Sequence, residues 1–132
     1  MIVVDTSVWV EGFRGAARIQ TELTRLIDAD LVALVSQVRL ELLEGCRPAE
    51  RVQLRRVLGA VPTFVPMPST WTRVEEWIGS AAKTAQRFGV VDLLIGATAR
   101  EHHASIWSLD SEFDRMARLR FVKIHRPRAA MS

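Results

Sequence analysis

Met1-Ile2-Val3-Val4-Asp5-Thr6-Ser7-Val8-Trp9 opens the chain, and its reading decides the fold. The β-branched apolar run shows no polar alternation, which is the pattern of a strand buried on both faces, as in the middle of a parallel α/β sheet. That strand ends on a carboxylate. Ligands of open parallel sheets bind in the crevice beyond the carboxyl ends of the strands, so Asp5 is delivered there, with the hydroxyls of Thr6 and Ser7 beside it. A lone Asp after a strand also serves as a helix cap or turn residue. Its meaning therefore depends on whether other acids reach the same end of the sheet.

Downstream, strand and helix patterns alternate. A Gly-containing loop, Glu11 to Gly15, follows Trp9; Ile19, Leu23, Leu26 and Ile27 then recur at helical spacing through Asp28. Leu31 to Val35 reads as a second buried strand, and Ser36 stands as the N-cap of a helix ending at Gly45. Pro48 opens a third helix, through Leu54 and Leu58 to Gly59. Thr63 to Val65, fenced by Pro62, Pro66 and Pro68, reads as an edge strand, because proline cannot donate to a central ladder. The longest helix is expected from Trp71, Val74, Ile78, Ala81, Ala85 and Phe88, stopping at Gly89. That face is read as core or helix packing, with a helix-mediated dimer as the sharper alternative. A helix from Asp92 to His103, a strand from Ser105 to Leu109, a helix from Ser111 to Arg118 and a last strand from Phe121 to Ile124 complete the order. The alternation predicts one domain over residues 1–132, a three-layer α/β/α sandwich around a central parallel sheet of four to five strands.

Composition narrows the function classes. The chain has 132 residues, of which 48% are hydrophobic and 25% charged, values typical of a globular protein. No stretch reaches the roughly 18 to 20 apolar residues of a membrane span, and no signal peptide precedes the first strand, so a cytoplasmic protein with no membrane partner is expected. The single cysteine, Cys46, excludes an internal disulfide and a thiolate-rich zinc site. Residues 115–132 carry Arg115, Arg118, Arg120, Lys123, Arg126 and Arg128 and no acid, leaving twelve of the 18 basic residues to face all 15 acids elsewhere. An acidic body with a basic tail suggests a polyanionic partner.

Four acids are candidates for one crevice: Asp5 after the first strand, Asp92 at a helix start, Asp110 after a later strand, and Glu41 on the helix after Ser36. On that helix Glu41 lies about 60° from the stripe of Val38, Leu42 and Gly45, whereas Glu44 lies about 130° away, at 100° per residue. Carboxylates so gathered repel one another unless a cation neutralises them. Oxygen-only ligands select Mg²⁺ or Mn²⁺, ions that activate water and polarise phosphodiesters. Asp114 is a further candidate ligand, and Glu112 reads as solvated. His102 and His103, adjacent on a helix, point about 100° apart and make a poor ligand pair. The arginines and Lys123 of the tail, Arg115, Arg118, Arg120 and Arg126 among them, are the candidate contacts to a nucleic-acid backbone.

These residues resemble a known family, the PIN domain ribonucleases, and within it the VapC-type toxins of bacterial toxin–antitoxin modules. Val4-Asp5-Thr6-Ser7-Val8-Trp9 resembles the first motif of the family, Glu41-Leu42-Leu43-Glu44-Gly45 the second, Val91-Asp92-Leu93-Leu94-Ile95-Gly96-Ala97-Thr98-Ala99 the third, and Trp107-Ser108-Leu109-Asp110-Ser111-Glu112-Phe113 the fourth. The four occur in order along the whole chain. The resemblance implies a metal-dependent endoribonuclease in which Asp5, Glu41, Asp92 and Asp110 are catalytic metal ligands and Thr6 and Ser108 support them. It also implies an RNA substrate, a homodimer and a cognate VapB-type antitoxin that places a basic side chain in the acidic pocket. Glu112 departs from the pattern, since the family often has Asp before the Phe.

A receiver-like signalling domain would need a phosphoacceptor Asp after the third strand, where this chain has Val65-Pro66-Met67-Pro68. An aspartyl phosphatase would need a second Asp two residues after the first, where this chain has Ser7. A catalytically silent scaffold of the same fold and a DNA-directed nuclease are the remaining alternatives.

Overall fold

The computed structural model describes residues 1–128. Strand β1 (Ile2–Val4) lies inside a sheet in which every pairing is parallel. It pairs with β2 (Val32–Val35) through Ile2↔Val32 and Val3↔Ala33, and with β4 (Ser105–Trp107) through Ile2↔Ser105 and Val4↔Trp107. Beyond β2 lies the short edge strand β3 (Thr63–Phe64), giving the order β3-β2-β1-β4. Val3, Val4, Ala33, Leu34, Val35 and Ile106 are wholly buried, so the unbroken apolar runs reflect helices covering both faces. Because β1 and β4 are neighbours running the same way, Asp5 and Ser108 emerge side by side, with the Asp5 amide donating to the Trp107 carbonyl at 2.9 Å.

Helices α1 (Thr6–Phe13), α2 (Ala17–Asp28), α3 (Ser36–Gly45), α4 (Arg51–Leu58), α5 (Pro68–Lys83), α6 (Val90–Glu101) and α7 (Ser111–Arg118) connect the strands. Several details differ from the sequence reading. α1 starts immediately after Asp5 and includes Glu11 to Phe13, which read as loop; its β-branched Val8 and Val10 and its Gly12 are poor helix formers. Burial of Val8, Trp9 and Gly12 overrides that propensity: a Cβ on Gly12 would lie 3.6 Å from both Ile19 and Leu23 of α2. Ser36 is the first helical residue and not the cap; its hydroxyl donates to Gln37 Oε1 at 3.2 Å.

α5 ends at Lys83, and Ala85 adopts a left-handed conformation (φ 56°) that reverses the chain well before Gly89. Its buried face is Thr70, Val74, Trp77 and Ala81, so Trp71 and Ile78 of the expected stripe point outward, 54% and 48% exposed. α5 is apolar on two sides, and α6 selects the one whose Trp77 stacks on Phe121 at 4.5 Å. Ser69 and Thr70 at the start of α5 both donate to Glu101 at the end of α6, which fixes this pairing. Phe121 to Ile124 runs along β4 with a single bridge, Ile106↔Ile124, extended by the His125 amide donating to the Ile106 carbonyl at 2.7 Å.

The buried apolar side chains form one cluster around Trp9, Trp107 and Phe113. Gly96 on α6 belongs to it: a Cβ there would meet Val122 at 3.1 Å and Trp77 at 3.3 Å. The C-terminal segment is tied to α2 by His125 Nε2, 3.0 Å from Glu22 Oε2, while Arg25 holds the other oxygen of Glu22 at 2.7 Å. Among the described residues no helix is long and apolar enough to cross a membrane.

Candidate active site

Asp5 is the anchor of the carboxyl end of the sheet. It is buried, and its Oδ2 accepts from Ser108 Oγ at 2.8 Å and from Ser7 Oγ at 3.0 Å. The same hydroxyls accept backbone N–H groups from the loop after β4, Leu109 to Ser7 and Asp110 to Ser108, each at 3.0 Å. β1 and that loop are thus laced by two serines, which fixes the carboxylate of Asp5 without neutralising it. Ser108 and Ser7 are equal partners of Asp5 in these contacts.

Asp110 caps α7, its Oδ1 accepting the Glu112 amide at 2.9 Å. Asp92 lies in the first turn of α6, half-buried. Asp92, Asp110 and Glu112 each place a carboxylate oxygen within 4.8 Å of the others. Asp5 adjoins them closely enough for its charge to act on Asp92. Burial first, then the hydrogen bond and charge of Glu112 and the charges of Asp5 and Asp110, push the Asp92 carboxyl up to about 8. Glu112 moves down, because a protonated Asp92 donates to it and the Gly89 amide donates to its Oε1 at 2.7 Å, with Arg115 nearby. The pair shares a proton because two like charges so close and partly desolvated resist joint ionisation.

Glu41 stands apart from that trio. It is exposed on α3, where its Oε2 accepts from Thr6 Oγ1 at 2.7 Å, so it is attached to the site through the residue that follows Asp5. The sequence reading of Asp114 and Glu112 is reversed by the geometry. Asp114 Oδ1 takes Arg126 at 3.0 Å and lies outside the trio, whereas Glu112 lies within it. The signal was present: α7 buries Phe113 and Met116, and from the midline of that stripe Glu112 lies about 70° away and Asp114 about 130°, at 100° per residue.

Of the basic residues expected to meet a polyanion, Arg115 sits beside Glu112 of the trio, and Arg126 beside Asp114. Arg115 lies over the Phe88 ring at 4.6 Å, and Arg126 is paired with Asp114. Arg118, Arg120 and Lys123 are exposed on the end of α7 and the segment after it. His102, away from the acids, stacks flat on Phe64 at 3.8 Å.

A donor set of carboxylates alone, one of which must keep a proton to coexist with its neighbours, fits a hard divalent cation. Such an ion would be held by Asp92, Asp110 and Glu112 with Asp5 alongside.

Comparison with known proteins agrees with this architecture. The chain is 32% identical over 125 residues to ribonuclease VapC11 of Mycobacterium tuberculosis, across 90% of this chain and 93% of that protein. Its fold is similar to the solved structure of VapBC2 from Rickettsia felis bound to a DNA fragment from its promoter, with a TM-score of 0.77 at 19% identity over 95% of this chain and 98% of that one. FitAcB from Neisseria gonorrhoeae superposes with a TM-score of 0.67 at 25% identity, over 96% of this chain and 98% of that one. Residues 2–119 match the PIN domain family, and the chain belongs to it.

Proposed function

We propose that this chain is a metal-dependent endoribonuclease, the toxin of a VapBC-type toxin–antitoxin pair acting in the cytoplasm. One observation carries the chemistry: three carboxylates within 4.8 Å at the end of a parallel sheet, with burial and mutual repulsion raising Asp92 to about 8. Strongly perturbed carboxyls gathered at one place mark functional sites, and a bound cation would relieve this repulsion. Similarity to ribonuclease VapC11 supports RNA as the substrate, and the fold shared with VapBC2 supports a VapB-type antitoxin as partner.

Asp5, Glu41, Asp92 and Asp110 are the proposed catalytic acids, joined by Glu112, with Mg²⁺ or Mn²⁺ as cofactor. When bound, the ion supplies a water of lowered pKa and polarises the phosphodiester. Ser7 and Ser108 hold Asp5 in place, and Thr6 holds Glu41. Glu112, fixed by the Gly89 amide, orients Asp92 and takes part in holding its proton. Arg115, Arg118, Arg120, Lys123 and Arg126 are the proposed contacts to the RNA backbone, which the acids alone would repel. The outward Trp71 and Ile78 on α5, two turns apart, form the proposed homodimer face.

The test is cleavage of defined RNA hairpins in Mg²⁺ or Mn²⁺, in chelator, and by Asp92→Asn. Cutting that requires metal and disappears in the variant is expected. Failure of calorimetry to detect Mg²⁺ or Mn²⁺ binding, together with intact RNA, would leave a partner-binding scaffold.

A further inference from the structure

A cleft of about 720 Å³ opens where the end of α1, the end of α3 and α4 meet. Thr6 and Glu41 line it, which brings it against the acid that stands apart from the trio and is tied to the residue after Asp5, while Val10, Leu42 and Leu54 give it an apolar floor. Its volume falls within the range of ligand sites, about 300–1,000 Å³. A strand whose phosphate is attacked beside Glu41 must place the adjoining nucleotide in this cleft or lift it into solvent.

The lining matches a nucleobase. Phe13 is 54% exposed and lines the cleft, while its other side leans on the buried Trp9, with ring centroids 6.0 Å apart. Trp9 therefore backs the ring while more than half of Phe13 stays open to a ligand. Gln53 of α4 brings an amide, both donor and acceptor, to the same space, suited to reading the edge of a base. At the rim stand Arg14 and Arg47, whose side chains are 72% and 86% exposed and paired with Glu11 and Glu50 at 3.2 and 3.9 Å. Exposed pairs of this kind hold weakly, so either guanidinium can exchange its carboxylate for a phosphate. An apolar floor, a backed aromatic ring, one amide and two releasable cations beside Glu41 form a set complementary to an unpaired nucleotide. Sequence-specific RNA recognition works by this combination of stacking and edge hydrogen bonds on unpaired bases.

We propose that this cleft is a nucleobase subsite: the base next to the scissile phosphate leaves its stack, lies on Phe13 and is read by Gln53. The inference rests on the nuclease reading above but has its own reporter. Cys46, the single cysteine of the chain, lines the same cleft and is partly accessible. Its alkylation by iodoacetamide is followed in the Asp92→Asn protein with Mg²⁺, so that RNA stays intact, against a single-stranded oligoribonucleotide or a duplex of the same length.

The single strand is expected to slow alkylation at least fivefold at saturation, and the duplex to leave it unchanged. Adding Phe13→Ala should raise the RNA concentration needed for protection about tenfold, near the lower end of the 5- to 150-fold attached to one base–aromatic stack. In the otherwise wild-type enzyme, Phe13→Ala should raise KM with little change in kcat, and Gln53→Ala should flatten the preference among the four bases beside the cut. Wild-type cleavage with Cys46 unprotected by saturating RNA overturns the subsite and leaves the nuclease standing. Protection without any wild-type cleavage keeps an RNA-binding cleft and removes the nuclease. Equal protection by duplex, or shielding by a partner polypeptide and by no RNA, overturns the assignment.

Discussion

Asp92→Asn should stabilise the metal-free protein at alkaline pH, the opposite of what removing a hydrogen-bonded, half-buried side chain does elsewhere. The Asp92 carboxyl stands at about 8 in the fold against 3.8 in its ordinary state. A carboxyl raised on folding binds more protons native than unfolded between those values, so native stability falls as pH rises from about 4 to 8. At 1.36 kcal/mol per unit the full penalty at pH 8 is a little over about 5 kcal/mol. Water reaches half of the site, and Glu112 shifts in the opposite direction, so after solvent screening about 2 kcal/mol remains. Asparagine keeps the shape, donates to Glu112 in place of the shared proton, and carries no charge.

In chelator at pH 8 the variant should therefore melt roughly 6–10 °C above wild type, as expected for about 2 kcal/mol in a chain of this size. The gap should close toward pH 5. Mg²⁺ should reverse the order, because an ion at a hundred times its dissociation constant stabilises wild type by about 2.7 kcal/mol and the variant has lost a ligand. Melting curves at pH 5 and 8, with chelator and with Mg²⁺, measure all four states. A metal-free variant less stable than wild type at pH 8 would refute the claim that the carboxylates repel one another in the absence of a cation.

Ser108→Ala removes the donor to Asp5 Oδ2 and the acceptor of the Asp110 amide; it should cost about 1–2 kcal/mol in a denaturant titration and slow single-turnover cleavage by displacing Asp5. Glu22 is held down at about 2 by Arg25 first and by His125. A lowered carboxyl gives stability that is complete above its ordinary 4.5 and lost as pH falls toward 2, so Glu22→Gln should cost about 2 kcal/mol at pH 7 and almost nothing at pH 2 in chemical denaturation. Gly96→Ala drives a methyl against Val122 and Trp77 and should lower stability by about 1–3 kcal/mol, visible as a lower midpoint with unchanged circular dichroism. Trp71→Glu with Ile78→Glu should leave the fold intact and yield monomer in sedimentation velocity; an undisturbed dimer would place the interface elsewhere.

What the sequence showed and what it hid follow from one physical distinction. Strand ends in a parallel sheet are set by backbone pairing, so the apolar runs before Asp5 and Asp110 suffice to bring both acids to one edge, and the pairing of β1 with β4 makes them neighbours. The helix-angle argument aims Glu41 at the same crevice, and in the fold it meets Thr6 and stays outside the trio. Hidden features are those in which two candidate faces compete. α5 offers Trp71 with Ile78 or Trp77 with Val74, and only packing against α6 and Phe121 chooses the second. α1 hides for a related reason, since its β-branched residues favour a strand until α2 covers them. α7 is the instructive case, because Phe113 and Met116 do mark its inner stripe, and Glu112 is the acid nearer to it. What the stripe does not contain is the partner of each acid. The Gly89 amide, 23 residues upstream, draws Glu112 into the site, and Arg126, 12 residues downstream, draws Asp114 away. Selection between two acids on one helix is thus made by groups that no local window includes. The acid that joins the trio is the one whose partner is a backbone amide, which fixes a carboxylate without setting an opposite charge against it.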